Sequence, residues 1–519
     1  MRRRLSAVLW LGIGLVCSAA GCSGEPVPPA VGITPQNDKQ TDPPGTILHT
    51  ADADAPQPVE IAGLTSAARE TAVVSQVSGA QVGTAGQQTE LPVDRAEASG
   101  CNGPVSETVC GSTDTDAAKH SHSDADLPKG ALIMAGGGLR YDNAEVWSRF
   151  VNLAAEFARE SGQPAGTRPR IAVFPTAALH PQQSGDRIVA ALQKYGADAF
   201  VVPIAIKNST VDVREAVRDP EVVAQIKSSH GVFFSGGQQA RIIDALCTAD
   251  GGKTPALEAI WHIYREGGVV GGSSAGTAVM SRIMCRAVES QLAILEKGVT
   301  PGKETAAGLG FLDQNWFVDQ HFIIRARFAR ALAVTQHHGL RHGLGVDENT
   351  ALLIHHGDAE IIGYRGAIFL DLSEARHDPQ TEGFNVKNAR VSYLDRGDHL
   401  DMETLVLTPS HEKQVEPVIN PNSPTFEPDN DETIFTTDIL GNSTLLDVMR
   451  RLMNNRQSQA TGLAFDGSEA GLGPVPAYEF RLYRDTDTRA WPPGAGEDYT
   501  IANVHLDVRR VELARLLYK

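Results

Sequence analysis

The chain has 519 residues, 46 Lys and Arg against 63 Asp and Glu, and a formal net charge of −17. The 50 Gly and 29 Pro exclude a coiled coil or an all-helical bundle, and the length calls for two or three structured units rather than one core. The acidic balance argues against nucleic acid or anionic lipid as a broad electrostatic partner.

At the N-terminus, Arg2, Arg3 and Arg4 precede an apolar run from Leu5 to Val16 and then small residues ending at Cys22. The run is shorter than the ~20 residues that span a bilayer and has the pattern of an export signal. Ala19-Ala20-Gly21-Cys22 resembles a bacterial lipobox, so residues 1–22 are expected to be a lipoprotein-type signal peptide with a lipid on Cys22. The protein is then expected at the outer membrane or cell surface, held there only by that lipid; ordinary secretion is the alternative. Residues 23–127 carry 15 acidic and 4 basic side chains, a net of −11, with few aromatics and no sustained period. Such a stretch buries too little apolar surface to offset its ordering entropy, and a disordered acidic tether is expected. His120 and His122 read there as a solvated patch. In an oxidising compartment Cys101 and Cys110 can pair, whereas Cys247 and Cys285 are expected at buried apolar positions.

From residue 128 the texture is that of an α/β domain, expected to run to 410. Ala131 to Ala135 is a short apolar run ending in Gly136-Gly137-Gly138, which predicts a buried parallel strand. Helix, strand, helix, strand and helix follow over 145–159, 171–174, 186–195, 199–203 and 213–226. Strand 231–235 leads to Gly236-Gly237, a helix follows Gln239, and strand 268–271 enters Ser273-Ser274-Ala275-Gly276. Alternation of this kind predicts a mostly parallel sheet with helices on both faces, and ligands at the carboxyl ends of its strands. After a Pro-, Asn- and Asp-rich stretch over 417–431, a helix is expected at 444–454 and strands at 462–465, 478–483 and 499–506. Residues 411–519 therefore read as a C-terminal α+β extension.

Gly272-x-Ser274-x-Gly276 fits a nucleophile elbow, in which small neighbours let the chain bend and present one hydroxyl at the sheet edge. A serine hydroxyl needs a base, and the base an orienting carboxylate. Val318-Asp319-Gln320-His321-Phe322 supplies a histidine at the end of one strand-like run, and Gly345-Val346-Asp347-Glu348-Asn349 a carboxylate at the end of the next. The order Ser, His, Glu differs from that of the α/β-hydrolases, so an esterase is disfavoured. Backbone N–H groups at Gly237 and Ala275 are the natural oxyanion donors, and a Cβ at Gly237 is expected to crowd that hole. His337, His338, His342, His355 and His356 have no Cys or carboxylate companions at zinc-finger spacing, so neither metal nor other cofactor is expected.

Gly271 to Gly276, the Asp319-Gln320-His321-Phe322 motif with Arg325, Arg327 and Arg330, and Gly345 to Thr350 together resemble the cyanophycinase family of serine peptidases, which also holds the α-aspartyl dipeptidases. The resemblance covers roughly residues 130 to 405, and Asp395-Arg396-Gly397-Asp398 resembles the family's closing strand motif. It implies a class I glutamine-amidotransferase-like fold, Ser274 as nucleophile, His321 as base and then acid, and Glu348 orienting His321. It further implies Gln239, Asp319, Gln320, Arg325, Arg327 and Arg330 as substrate-binding residues, the three arginines on a helix-like run over 322–334. The implied substrate is cyanophycin, a polyaspartate bearing arginine on each side chain, cleaved to β-Asp-Arg dipeptides, and family members suggest a homodimer. Gln238 stands where the family has an acid. That departure leaves open an aspartyl or isoaspartyl peptidase with another substrate, and a non-catalytic surface-binding lipoprotein on the same fold is the reading from another class.

Overall fold

The computed structural model describes residues 128–467, 474–494 and 498–514. The signal peptide, the lipidated Cys22, the acidic tether with His120 and His122, and the Cys101–Cys110 pairing lie outside the described residues. The first half runs β1 (Ala131–Ala135), α1 (Ala144–Glu160), β2 (Arg170–Phe174), α2 (Pro181–Lys194), β3 (Asp198–Val201), α3 (Val213–Ala216), α4 (Pro220–Lys227), β4 (Gly231–Phe234), α5 (Gln239–Leu246), α6 (Pro255–Glu266), β5 (Val269–Ser273) and α7 (Ala275–Ala278). Strands β1 and β4 are buried at every position because both faces of the sheet are covered, which is why they read as unbroken apolar runs.

Punctuation by proline decides where these helices start. The single helix expected over 213–226 is two, because Pro220 lacks an N–H and pushes Asp219 into extended backbone (ψ 120°), where its carboxylate caps α4 through the Glu221 and Val222 amides. The helix after Gln239 is likewise two, α5 and α6. Cys247, at the end of α5, is half-buried and disulfide-bonded rather than a free apolar position, whereas Cys285 is free and buried.

The chain continues through β6 (Ile283–Cys285), α8 (Gln291–Lys297), β7 (Thr305–Ala307), β8 (Trp316–Gln320), α9 (Phe328–His337), β9 (His342–Val346), β10 (Thr350–His355), β11 (Asp358–Gly363), β12 (Ala367–Asp371), β13 (Val386–Leu394), β14 (His399–Asp401) and β15 (Leu407–Thr408). The last stretch adds β16 (Ile434–Thr436), α10 (Thr444–Met453), β17 (Gln459–Phe465), β18 (Val475–Tyr483), β19 (Arg489–Trp491) and β20 (Thr500–Leu513).

Two nine-stranded sheets result, and the fold is α/β. The first has the order β15-β14-β11-β10-β1-β5-β4-β2-β3, parallel from β1 to β3 and antiparallel beyond β10. The second has the order β16-β17-β18-β20-β13-β12-β9-β8, with β19 on β20. A second large sheet is the main difference from the single sheet expected from the alternation of the first half. The strands beyond residue 411 complete it, since β20 pairs along β13. A buried cluster binds the two stretches: Lys413, with no exposure, reaches Asp395 (3.3 Å), Asp398 (3.2 Å) and Thr500 (3.0 Å).

Candidate active site

Ser274 sits between β5 and α7 with φ 54° and ψ −110°, a sparsely populated backbone that makes a sharp strand-to-helix bend. No Cβ is tolerated two residues to either side: one at Gly272 would meet the Gly276 carbonyl carbon at 2.5 Å, and one at Gly276 the Phe234 oxygen at 2.6 Å. The Ser274 amide is tied to the Ala135 carbonyl (3.0 Å), so the elbow hangs on β1 as well as on its own strand.

His321 follows β8 and Glu348 follows β9, a parallel pair in the second sheet, while Ser274 follows β5 in the first. The residues expected along one sheet edge therefore meet across two. The join is backbone: His321 N–H donates to Gly136 O (2.6 Å), Asn349 N–H to Gly137 O (2.8 Å) and Gly136 N–H to Thr350 O (2.9 Å). Ser274 Oγ lies 2.8 Å from His321 Nε2, and His321 Nδ1 lies 2.5 Å from Glu348 Oε1. Burial pushes the His321 imidazole below its usual pKa; the Glu348 hydrogen bond opposes this and the charges of Arg325 and Arg327 reinforce it. At Glu348 burial acts upward and is outweighed by the His321 bond and by His321, Arg325 and Arg365, which leaves the carboxyl below its usual range. The imidazole is thus neutral near pH 7 and the carboxylate charged, the states that proton transfer from a serine requires.

Sequence reasoning missed the floor of this arrangement. Gly137 (φ 104°) lies under the imidazole, and a Cβ there would stand 2.2 Å from His321 Cε1. The Gly136-Gly137-Gly138 run signalled a turn and nothing more. Asp347 was also passed over, although two adjacent acids at a strand end were visible. It is wholly buried, accepts from the Ile324 amide (3.0 Å) and pairs with Arg365 (2.9 Å), tying the turn after His321 to the Glu348 loop. From the other side, Asn143 Nδ2 holds Asn349 O and Oδ1, both at 3.0 Å.

The remaining candidates divide. Arg325 is exposed, with Nη2 3.5 Å from Glu348 Oε1. Arg327 is largely buried, and its Nη1 donates to both the carbonyl and Oε1 of Gln320 at 2.7 Å. Burial first, then the Arg330 charge, lowers it to about 10. Asp319 and Arg330 are corrected: both are buried and locked together in a bidentate pair at 2.6 Å, which leaves neither facing solvent. Their place is beneath the site, holding β8 to α9. The helix expected from 322 begins only at Phe328, and Arg325 and Arg327 stand on the turns before it, because His321 (φ 49°) and Ala326 (φ 46°) are left-handed. Gln239 donates to Cys285 O at 2.8 Å, so its amide tethers α5 to β6. Gln238 is exposed.

The amides of Gly237 and Ala275 have no backbone acceptor among the described residues, and a Cβ on the intervening neighbour Gly236 would touch Ser274 Cβ at 3.4 Å. A Cβ on Gly237 itself points away from the hydroxyl and strikes Ala177 O at 2.1 Å, with φ 138°. Gly237 is needed by the turn it makes against Ala177, not to keep an oxyanion pocket open.

Hydroxyl, imidazole and carboxylate in one hydrogen-bonded line, raised on a strand-to-helix elbow of an α/β fold, are the apparatus of a serine hydrolase. Residues 143–362 match the profile of Peptidase family S51. Cyanophycinase from Geminocystis herdmanii is 29% identical over 290 residues, spanning 54% of this chain and 95% of its own length. Cyanophycinase from Nostoc sp. is 29% identical over 259 residues, spanning 47% and 80% respectively. A crystal structure of a peptidase from an acI-B1 Actinobacterium aligns at 20% identity with a TM-score of 0.38, over 53% of this chain and 97% of that one. The chain is a serine peptidase, and its residues 143–362 are similar to the cyanophycinase-like enzymes of family S51.

Proposed function

We propose that this peptidase is an exported cyanophycinase-like exopeptidase that hydrolyses arginyl-polyaspartate to β-Asp-Arg dipeptides. Ser274 Oγ attacks the scissile carbonyl carbon as its proton passes to His321 Nε2, with Glu348 holding the Nδ1–H. The resulting oxyanion is met by the Gly237 and Ala275 amides. Collapse expels the amine, which takes the proton from Nε2, and water then cleaves the acyl-enzyme by the same base. Arg325 and Arg327 face the substrate's carboxylates, Gln239 and Gln320 line the site through their backbones and amides, and Asp319 with Arg330 supports it from below. The catalytic unit is taken as 128–410 on a class I glutamine-amidotransferase-like plan, with 411–519 appended. The export signal, Cys22 and acidic stretch of the sequence support a surface lipoprotein or, failing that, a secreted enzyme. A homodimer is part of the proposal.

The observation that carries the reading is the 2.8 Å and 2.5 Å pair of hydrogen bonds through His321. Incubating the purified protein with insoluble cyanophycin and following dipeptide release tests it. Release of β-Asp-Arg is expected; no release beside turnover of simple aspartyl peptides would move the substrate to the aspartyl or isoaspartyl peptides, which Gln238 at the family's acid position leaves open. Polymer binding without hydrolysis of either would leave only a surface-binding protein.

A further inference from the structure

We infer that the start of α10, with Phe480 of β18, is a positioning device for His321 and the arginine turn, so that the stretch beyond residue 411 takes part in catalysis. The stretch lies outside residues 143–362 that match family S51. The inference rests on the serine-peptidase reading of the site but not on its substrate.

The turn from His321 to Arg327 has two left-handed non-glycine residues, His321 and Ala326, a costly backbone that persists only where neighbours over-determine it. On one side the constraints come from the Glu348 loop, through Phe322 N–H to Val346 O (3.1 Å) and Ile324 N–H to Asp347 Oδ1 (3.0 Å). On the other side they come from the C-terminal stretch. The Ser443 amide donates to Ile323 O at 3.1 Å, and Ser443 is itself left-handed at φ 60°. Around that bond Phe322, Ile323 and Ala326 close an apolar hollow with Gly441, Leu445 and Leu446. Phe328, the first residue of α9, meets Phe480 edge to face at 5.5 Å. The turn is thus held between two walls, and one of them is built wholly from residues 441–480.

The charged groups acting on His321 are Glu348, Arg325 and Arg327, and both arginines ride on this turn. Release of one wall lets the arginines swing away and the imidazole drift from Ser274. A wall that merely added stability would leave the imidazole's titration where it was.

The test uses the full chain and a fluorophosphonate probe, whose labelling of Ser274 is followed by mass spectrometry as a function of pH. Ser443→Pro removes the amide donor and cannot adopt the left-handed backbone, while Leu446→Ala opens the hollow with the bond intact. Per folded molecule, both are expected to slow labelling, Ser443→Pro by about 10²-fold, and to move the acid limb to higher pH. Ser443→Gly, which keeps amide and backbone, should restore both. Losses that only track the folded fraction in thermal melts, or an unmoved acid limb in either folded variant, overturn the inference. Absence of labelling in the wild type would instead sink the serine-peptidase reading, and labelling without cyanophycin hydrolysis would sink only the substrate.

Discussion

Ser274, His321 and Glu348 act as a unit, so their removals do not add. Ser274→Ala and His321→Ala should each lower kcat/KM by at least about 10⁴-fold, and the double variant should be little worse than either, as read by peptide hydrolysis. The pH profile follows from the imidazole. Because burial and two arginines hold its pKa below the ordinary 6.5, the neutral base survives into mild acid, and the acid limb of kcat/KM should lie below pH 6.5. Arg325→Ala removes one of those cations; the limb should then move upward, and a limb that moves down or stays would refute the assignment. At Arg330 the expectation concerns stability. Arg330→Met strips the buried Asp319 carboxylate of its bidentate partner, leaving only Arg327 at 3.9 Å, and should cost about 3–5 kcal/mol in denaturant unfolding.

Three glycine-ended strands supply the ground on which those side chains meet. The turn after β1 is legible as a turn, yet its use is not, because what Gly137 accommodates is an imidazole 184 positions away in number and in another sheet. Gly137→Ala combines an unfavourable φ of 104° with a Cβ 2.2 Å from His321 Cε1. Turnover should fall by about 10²-fold with the rest of the fold retained, checked by kinetics beside circular dichroism. The helices show the converse. Asp219-Pro220 carries its boundary in its own chemistry, and a periodicity drawn through it as one helix from 213 overlooked a local rule rather than a tertiary effect. By contrast, the late start of α9 has no local signature. Arg325 to Arg330 include good helix formers, and it is the backbone contacts of Phe322 and Ile324 with the Glu348 loop, with that of Ile323 to Ser443, that hold the first of them in turns.

Across the molecule, two sheets share one active site and one C-terminal closure. Strand β20 runs beside β13, and the Lys413, Asp395, Asp398 and Thr500 cluster pins the joint between them. Burial raises the Asp398 carboxyl, and the Lys413 ammonium is the first influence that opposes it. Lys413→Ala leaves two buried carboxylates facing one another and should destabilise the chain by about 3–5 kcal/mol, with the loss partly recovered as pH falls and the carboxylates take protons. Unfolding followed by fluorescence between neutral and acid pH checks both magnitude and sign.

Features with a local cause are legible along the chain alone: buried strands written as apolar runs, glycine turns at their ends, and a serine between glycines. A histidine and a glutamate at successive strand ends belong with them. The tertiary structure alone decided which groups remain available. Asp319 and Arg330 neutralise each other, Gln239 is bound to a carbonyl, and Gly137 and Asp347 enter the site, because each of these facts is a distance between residues remote in the chain. It also decided that the strands beyond 411 finish a sheet, since alternation along a strand shows which face is apolar but not which strand will cover its edge.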